Sequence, residues 1–208
     1  SEYMDSRNTW KFLAESGVNT VLAPVYWEMI EPEEGRYDFR SVDYLLKSAR
    51  ANGQKLILLW FGSWKNSMSC YVPSWVKRNF GKEFDLALNS DGSTPEIMSA
   101  FSESNVRADA KAFTQLMKYL RLNDGTEGTV IMVQVENEIG MLGDARDHSK
   151  LAENAYRSPV PYDFMYMLKT GKAGEHVERI WQDAGMAAEG DWKEVFGEGT
   201  DADEIFMA

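Results

Sequence analysis

The chain has 208 residues, 44% hydrophobic and 26% charged, with a formal net charge of −11. This is an ordinary globular balance, long enough for one domain with a real core or for part of a larger one. The acidic excess disfavours nucleic acid and anionic membrane as partners, and no apolar segment approaches the roughly 20 residues that span a bilayer.

In chain order, residues 2–16 read as a helix with Tyr3, Met4, Trp10, Leu13 and Ala14 on one face and Gly17 to end it. Asn19 to Trp27 reads as a strand with Pro24 near its exit, followed by a turn-rich loop to Phe39. A second amphipathic helix runs from Ser41 to Asn52 through Val42, Leu45, Leu46 and Ala49. Lys55 to Phe61 is a second strand, opening into a polar and aromatic loop from Gly62 to Pro73. A short helix is expected over 74–79 and irregular surface chain over 84–98. A third helix from Asn105 to Arg121 carries Val106, Ala110, Phe113, Met117 and Leu120 on its apolar side.

The turn Asn123-Asp-Gly-Thr-Glu-Gly128 leads into Val130-Ile-Met-Val-Gln-Val135, the pattern of a parallel strand buried on both faces. Beyond it come a loop, a helix over 162–169 and helical pieces from Trp181 to Ala208. Strands separated by helices imply right-handed βαβ units and a parallel sheet. All three strands end in loops bearing Trp, Glu, Asn or Lys, as a (β/α)₈ barrel requires of its active-site face. A closed barrel needs about 250 residues. The expectation is therefore α/β, a partial (β/α)₈ TIM barrel holding roughly strands 2–4, with residues 1–208 as one incomplete domain truncated at both ends. A doubly wound nucleotide-binding domain is the rival, but no Gly-rich phosphate loop follows any strand.

Cys70 is the only cysteine, which excludes an internal disulfide, and it reads as structural. With only His148 and His176, neither a His-rich metal site nor a Ser-His-Asp triad is expected, and no cofactor is. Aromatic residues make up 12% and include seven Trp. Such rings stack on sugar C–H faces, although most serve as core. At the third strand's exit stands Glu136-Asn137-Glu138. A carboxyl acting as general acid needs a pKa raised by burial or by a second carboxylate. Spacing alone leaves open which Glu enters a cleft.

The segment from Thr20 to Phe39, with Trp27 and then Glu31-Pro-Glu-Glu-Gly-Arg-Tyr-Asp-Phe39, resembles the second strand and loop of glycoside hydrolase family 35, the β-galactosidases. Val133-Gln-Val-Glu-Asn-Glu-Ile-Gly140 resembles that family's fourth-strand motif, and Pro73-Ser-Trp75 its Pro-x-Trp. The stretch Leu59 to Asn66 looks like a bacterial branch whose relatives remove galactose from plant polysaccharides such as xyloglucan.

The resemblance implies a retaining exo-β-galactosidase acting on β-galactoside oligo- or polysaccharides. Glu138 matches the general acid/base and Asn137 the residue that bonds the sugar 2-hydroxyl. Glu136 is left a supporting part, and Trp27 is expected to shape the galactose pocket. At the exit of the family's third strand, which this chain's second strand from Lys55 to Phe61 matches, the family carries an Ala-Glu pair; here Trp64, Lys65 and Asn66 stand in as substrate contacts. Pro24 and Ile139 also depart from the family pattern. The family's nucleophile lies on a seventh strand, and none of the glutamates after residue 170 follows a buried strand. The expectation is no nucleophile and no metal in this chain, and no activity from it alone. The resemblance further suggests secretion or periplasmic location. The alternatives are another retaining Asn-Glu barrel glycosidase, of family 42 or an endo-glycanase, or a non-catalytic galactoside-binding module. Open sheet edges could drive self-association.

Overall fold

The computed structural model describes residues 6–66, 69–138 and 140–208. Of the expected first helix, residues 2–5 lie outside these, and so does Ile139. What is described is α1 over Ser6–Glu15, β1 over Thr20–Tyr26, α2 over Trp27–Ile30, α3 over Arg40–Ala51 and β2 over Lys55–Phe61. Then follow α4 over Ser74–Lys77, α5 over Glu103–Asp124 and β3 over Val130–Val135. The chain continues as α6 over Lys150–Tyr156, α7 over Tyr162–Lys169, α8 over Glu175–Asp183, α9 over Trp192–Phe196 and α10 over Thr200–Met207. The strands form one parallel sheet in the order β1-β2-β3.

The sheet is half of a sandwich of layers. Leu56, Leu58 and Trp60 alternate along β2 and are fully buried, as are Val42 and Ala49 of α3 and Ala112 and Leu116 of α5. The opposite face carries Leu22, 60% exposed, in register with Ile57. In a closed barrel that face would be the packed interior. Pro24 sits on β1, which among the described residues pairs with β2 alone, so its missing N–H costs the sheet no hydrogen bond on an edge strand.

Three expectations are corrected here. β3 is not buried on both faces: Ile131, Met132 and Val135 are each more than half exposed. It is an edge strand, and the register against β2 slips from Leu56↔Val130 to Ile57↔Met132, so a bulge at Ile131 breaks the alternation. The buried stripe of α5 is Asn105, Ala112, Leu116, Leu120 and Asp124, rotated from the expected side, with Val106 54% and Met117 39% exposed. Polar Asn105 can lie inward because its amide donates to the Asp85 and Ser99 carbonyls, at 2.7 and 2.8 Å. Residues 84–98 are not surface chain either; Phe84, Ala87, Ile97 and Met98 are buried. After β3 the helices α7 to α10 gather around Met165, Leu168, Trp181, Val195 and Phe196. Phe206 of α10 ties them back to the sheet layer by stacking on Phe101, with ring centroids 5.0 Å apart.

Candidate active site

The three strands run parallel, so their carboxyl ends Tyr26, Phe61 and Val135 lie at one edge of the sheet. β3 ends where its backbone leaves the extended region: Glu136 has φ 58° and Glu138 φ 46°. Left-handed backbone costs a non-glycine residue about 1–2 kcal/mol, and it ends the two-residue alternation that a strand would have imposed on the triplet. The two glutamates therefore part company. Glu136 turns inward and Glu138 is exposed.

Glu136 meets Asp109, which projects from α5, within hydrogen-bonding reach. Around the two carboxyls converge the donors of the β2 exit. Glu136 Oε2 accepts from the Trp64 N–H at 2.8 Å and the Gly62 N–H at 3.3 Å, and Oε1 from the Ser63 N–H at 3.2 Å. Asp109 Oδ1 accepts from the Trp60 indole at 2.8 Å, and Oδ2 from the Ser63 N–H at 2.7 Å and its hydroxyl at 2.6 Å. Burial, then the neighbouring Asp109 charge and hydrogen bond, push the Glu136 carboxyl up to about 9 against the lowering effect of the backbone N–H groups. Two like charges this close cannot both persist, so the pair holds a proton at neutral pH. Asp109 was not singled out in the sequence, because the apolar side expected for this helix ran through Val106, Ala110, Phe113, Met117 and Leu120. The stripe through Asn105, Ala112 and Leu116, with position 109 between them at helical spacing, was the available signal.

Asn137 lies between the two glutamates with its side chain held at both ends. Its Oδ1 accepts from Gln134 Nε2 and its Nδ2 donates to the Lys65 carbonyl, each at 2.8 Å. Among the described residues these two bonds leave one amide hydrogen and one lone pair of the side chain for a ligand. The structure thus brings Asn137, Glu138 and the Lys65 backbone together, with Asn66 beside them, its Oδ1 accepting from the Ser69 hydroxyl at 2.9 Å.

Two expected substrate contacts are placed elsewhere. Trp27 is 0% exposed, donates from Nε1 to Glu31 Oε2 at 2.9 Å and meets Trp75 edge-on. It opens α2, where a loop was expected, and belongs to the core. Trp64 is 6% exposed, packs with Ala87 and Ile97 and donates to the Met98 carbonyl at 2.9 Å. Neither ring has a face for a sugar in this conformation. A separate apolar groove of about 660 Å³ lies along β1, lined by Trp10, Pro24, Tyr26, Met29 and Tyr44 among others. It includes neither Asn137 nor Glu138. Among the described residues no group of His, Cys, Asp and Glu could hold a metal ion. No described helix is long and apolar enough to cross a membrane.

Comparison with known proteins agrees with a glycosidase barrel. A β-galactosidase of Xanthomonas manihotis is 32% identical over 145 residues, covering 66% of this chain and 21% of that protein. A β-1,2-glucosyltransferase of Ignavibacterium album is 24% identical over 167 residues, covering 73% of this chain and 23% of that protein. The chain thus spans about a fifth of the length of the curated relatives it matches. The crystal structure of the β-galactosidase from the psychrophilic Marinomonas ef1 superposes with a TM-score of 0.59 over 94% of this chain and 27% of that one, at 18% identity, a likeness of fold. The family model that matches is that of glycoside hydrolase family 42, over residues 4–172, rather than family 35. Family 42 was held as the alternative, and the Asn-Glu at the fourth-strand position does not separate the two. The chain belongs to the β-galactosidases of glycoside hydrolase family 42.

Proposed function

We propose that this chain supplies the acid/base half of a retaining β-galactosidase site, acting on terminal β-D-galactose of oligo- or polysaccharides. The observation that carries the reading is the exposed Glu138 next to a half-buried Asn137 just past β3, with Asn137 held against the β2 exit, in a chain of a β-galactosidase family. Glu138 protonates the leaving glycosidic oxygen and then deprotonates water, and the free amide hydrogen of Asn137 bonds the sugar 2-hydroxyl. Glu136 is not given the acid's part, because it turns inward against Asp109 and the N–H groups of Gly62, Ser63 and Trp64, whereas Glu138 is the exposed carboxyl. Lys65 and Asn66, half-buried at the β2 exit, are the proposed contacts to further hydroxyls.

A retaining mechanism also needs a second carboxyl about 5–5.5 Å from the first, and the proposed nucleophile lies outside these 208 residues. The isolated chain is therefore expected to turn over no aryl β-galactoside. In a complete barrel containing it, Glu138→Gln is expected to lower kcat most for substrates with poor leaving groups. Sustained turnover by the isolated chain, abolished by Glu138→Gln, would overturn the division of the catalytic pair. Transfer to a sugar hydroxyl instead of water is a second reading, favoured by the likeness to a glucosyltransferase. The same acid/base serves both, and the ratio of free galactose to lengthened oligosaccharide separates them.

A further inference from the structure

Behind the Asn137–Glu138 tip lies a group the proposed chemistry does not use, the Asp109–Glu136 carboxyl pair. It joins three elements: Asp109 on α5, Glu136 one residue past β3, and the N–H groups of residues 62–64 past β2. The backbone is left-handed on both sides of Asn137, a strained arrangement that persists only where neighbours over-determine it. The neighbours that do so are visible. Glu136 is clamped by the β2 exit, its carbonyl accepts from Gln134 Nε2 at 3.0 Å, and Asn137 closes the circuit onto Lys65. Gly62 completes the fit. A Cβ there would stand 2.5 Å from Asp109 Oδ2 and 2.8 Å from Glu136 Oε1, so the two carboxyls close over a residue with no side chain.

We propose that Asp109 and Glu136 are positioning residues, a latch closed by one shared proton, which locks the β2 and β3 exits together and thereby aims Asn137 and Glu138. The role rests on the acid/base reading of Glu138, but its test does not. From α5 the charged group facing Glu136 is Asp109. From the β2 exit it faces the Gly62, Ser63 and Trp64 N–H groups, with the Trp60 indole and the Ser63 hydroxyl on Asp109. From its own strand end it faces the amides of Gln134 and Asn137. The backbone N–H groups, the indole, the hydroxyl and the amides carry no titrating charge near neutrality. Opening the latch therefore means losing that one proton.

The 208-residue chain is unfolded by heat at about pH 6–8 in buffers of different ionisation enthalpy, which counts the protons exchanged. The wild type is expected to release about one proton more than Glu136→Gln, whose amide imitates the protonated carboxyl and whose fold is retained. Asp109→Asn, which removes the neighbouring charge but not the burial, is expected to lower the proton release below that of the wild type without abolishing it. The Asn137 side-chain amide resonance should shift with alkaline pH in the wild type and stay flat in Glu136→Gln, a response that a purely structural role would not give. Equal proton release in wild type and either variant overturns the proposal. So does an Asn137 amide indifferent to the pair, or failure of both neutral variants to fold. No galactoside enters these measurements, so they stand or fall separately from the acid/base reading.

Discussion

Gly62→Ala tests the packing of the β2 exit with one methyl group. Gly62 does not have positive φ, so alanine is conformationally permitted there and by itself would stabilise by about 0.4–1 kcal/mol. The space decides otherwise. The added Cβ would lie 2.5 Å from Asp109 Oδ2, 2.8 Å from Glu136 Oε1 and 2.8 Å from Trp60 Nε1. None of the three can move cheaply, because each is already hydrogen-bonded: Asp109 to Ser63, Glu136 to the loop amides, and the Trp60 indole to Asp109. Overpacking costs about 1–3 kcal/mol, and losing one hydrogen bond to a carboxylate about 1.5–3 kcal/mol. Set against the gain, the net expectation is a loss of about 2–4 kcal/mol. At this chain length 1 kcal/mol moves Tm by about 2–4 °C, so a fall of roughly 4–16 °C is expected. Denaturant unfolding of the two proteins measures it. A change within about 0.5 kcal/mol would mean that the carboxyls do not close over residue 62, and the site geometry would be wrong.

Trp27→Phe is expected to cost about 2 kcal/mol, since it leaves Glu31, 1% exposed, without its indole donor; a neutral result would return Trp27 to the surface. Asp124 is 5% exposed, and burial raises its carboxyl, but hydrogen bonds from the Val130 N–H, Thr129 and Arg50 outweigh burial and hold it below the usual range. Its stabilisation is therefore present above its unfolded pKa and lost as pH falls through the folded one. Asp124→Asn should cost about 2–4 kcal/mol at neutral pH and flatten the acid limb of the stability curve. Glu136 works in the opposite sense: with its folded pKa raised to about 9, its contribution is full below the unfolded value of 4.5 and declines as pH rises from there toward 9. The exposed Leu22, Ile131, Met132 and Val135 on an open sheet are expected to make the isolated chain self-associate, measured by sedimentation. Met132→Lys should restore a monomer, and a wild type monomeric at high concentration would contradict this.

The three strands and their parallel order were legible because βαβ connectivity and short apolar runs leave few topologies. β1 and β2 fall within one residue of the expected ends, and α7 matches them. β3 was legible as a strand but not as an edge, since a hydrophobic run looks alike whether covered or bare. The helix α2 and the buried segment around Ile97 were missed because their burial depends on contacts distant in sequence. At the site, the triplet 136–138 announced itself by composition. Which glutamate turned inward did not, because it hangs on left-handed backbone and on a partner, Asp109, 27 residues upstream. The Trp residues could not be sorted by type, because an indole suits a sugar face and a core equally well; burial and the bonds of Trp27 to Glu31 and Trp64 to Met98 place both rings in the core.

Glu138, not its half-buried neighbour Glu136, is the proposed acid/base. This assignment is tested most directly in a complete barrel containing this chain, by comparing Glu138→Gln and Glu136→Gln on aryl β-galactosides of graded leaving-group pKa. Glu138→Gln is expected to lose activity steeply as the leaving group worsens and to regain it with azide, while Glu136→Gln shows neither behaviour. The reverse pattern, with leaving-group dependence and azide rescue in Glu136→Gln, would contradict it.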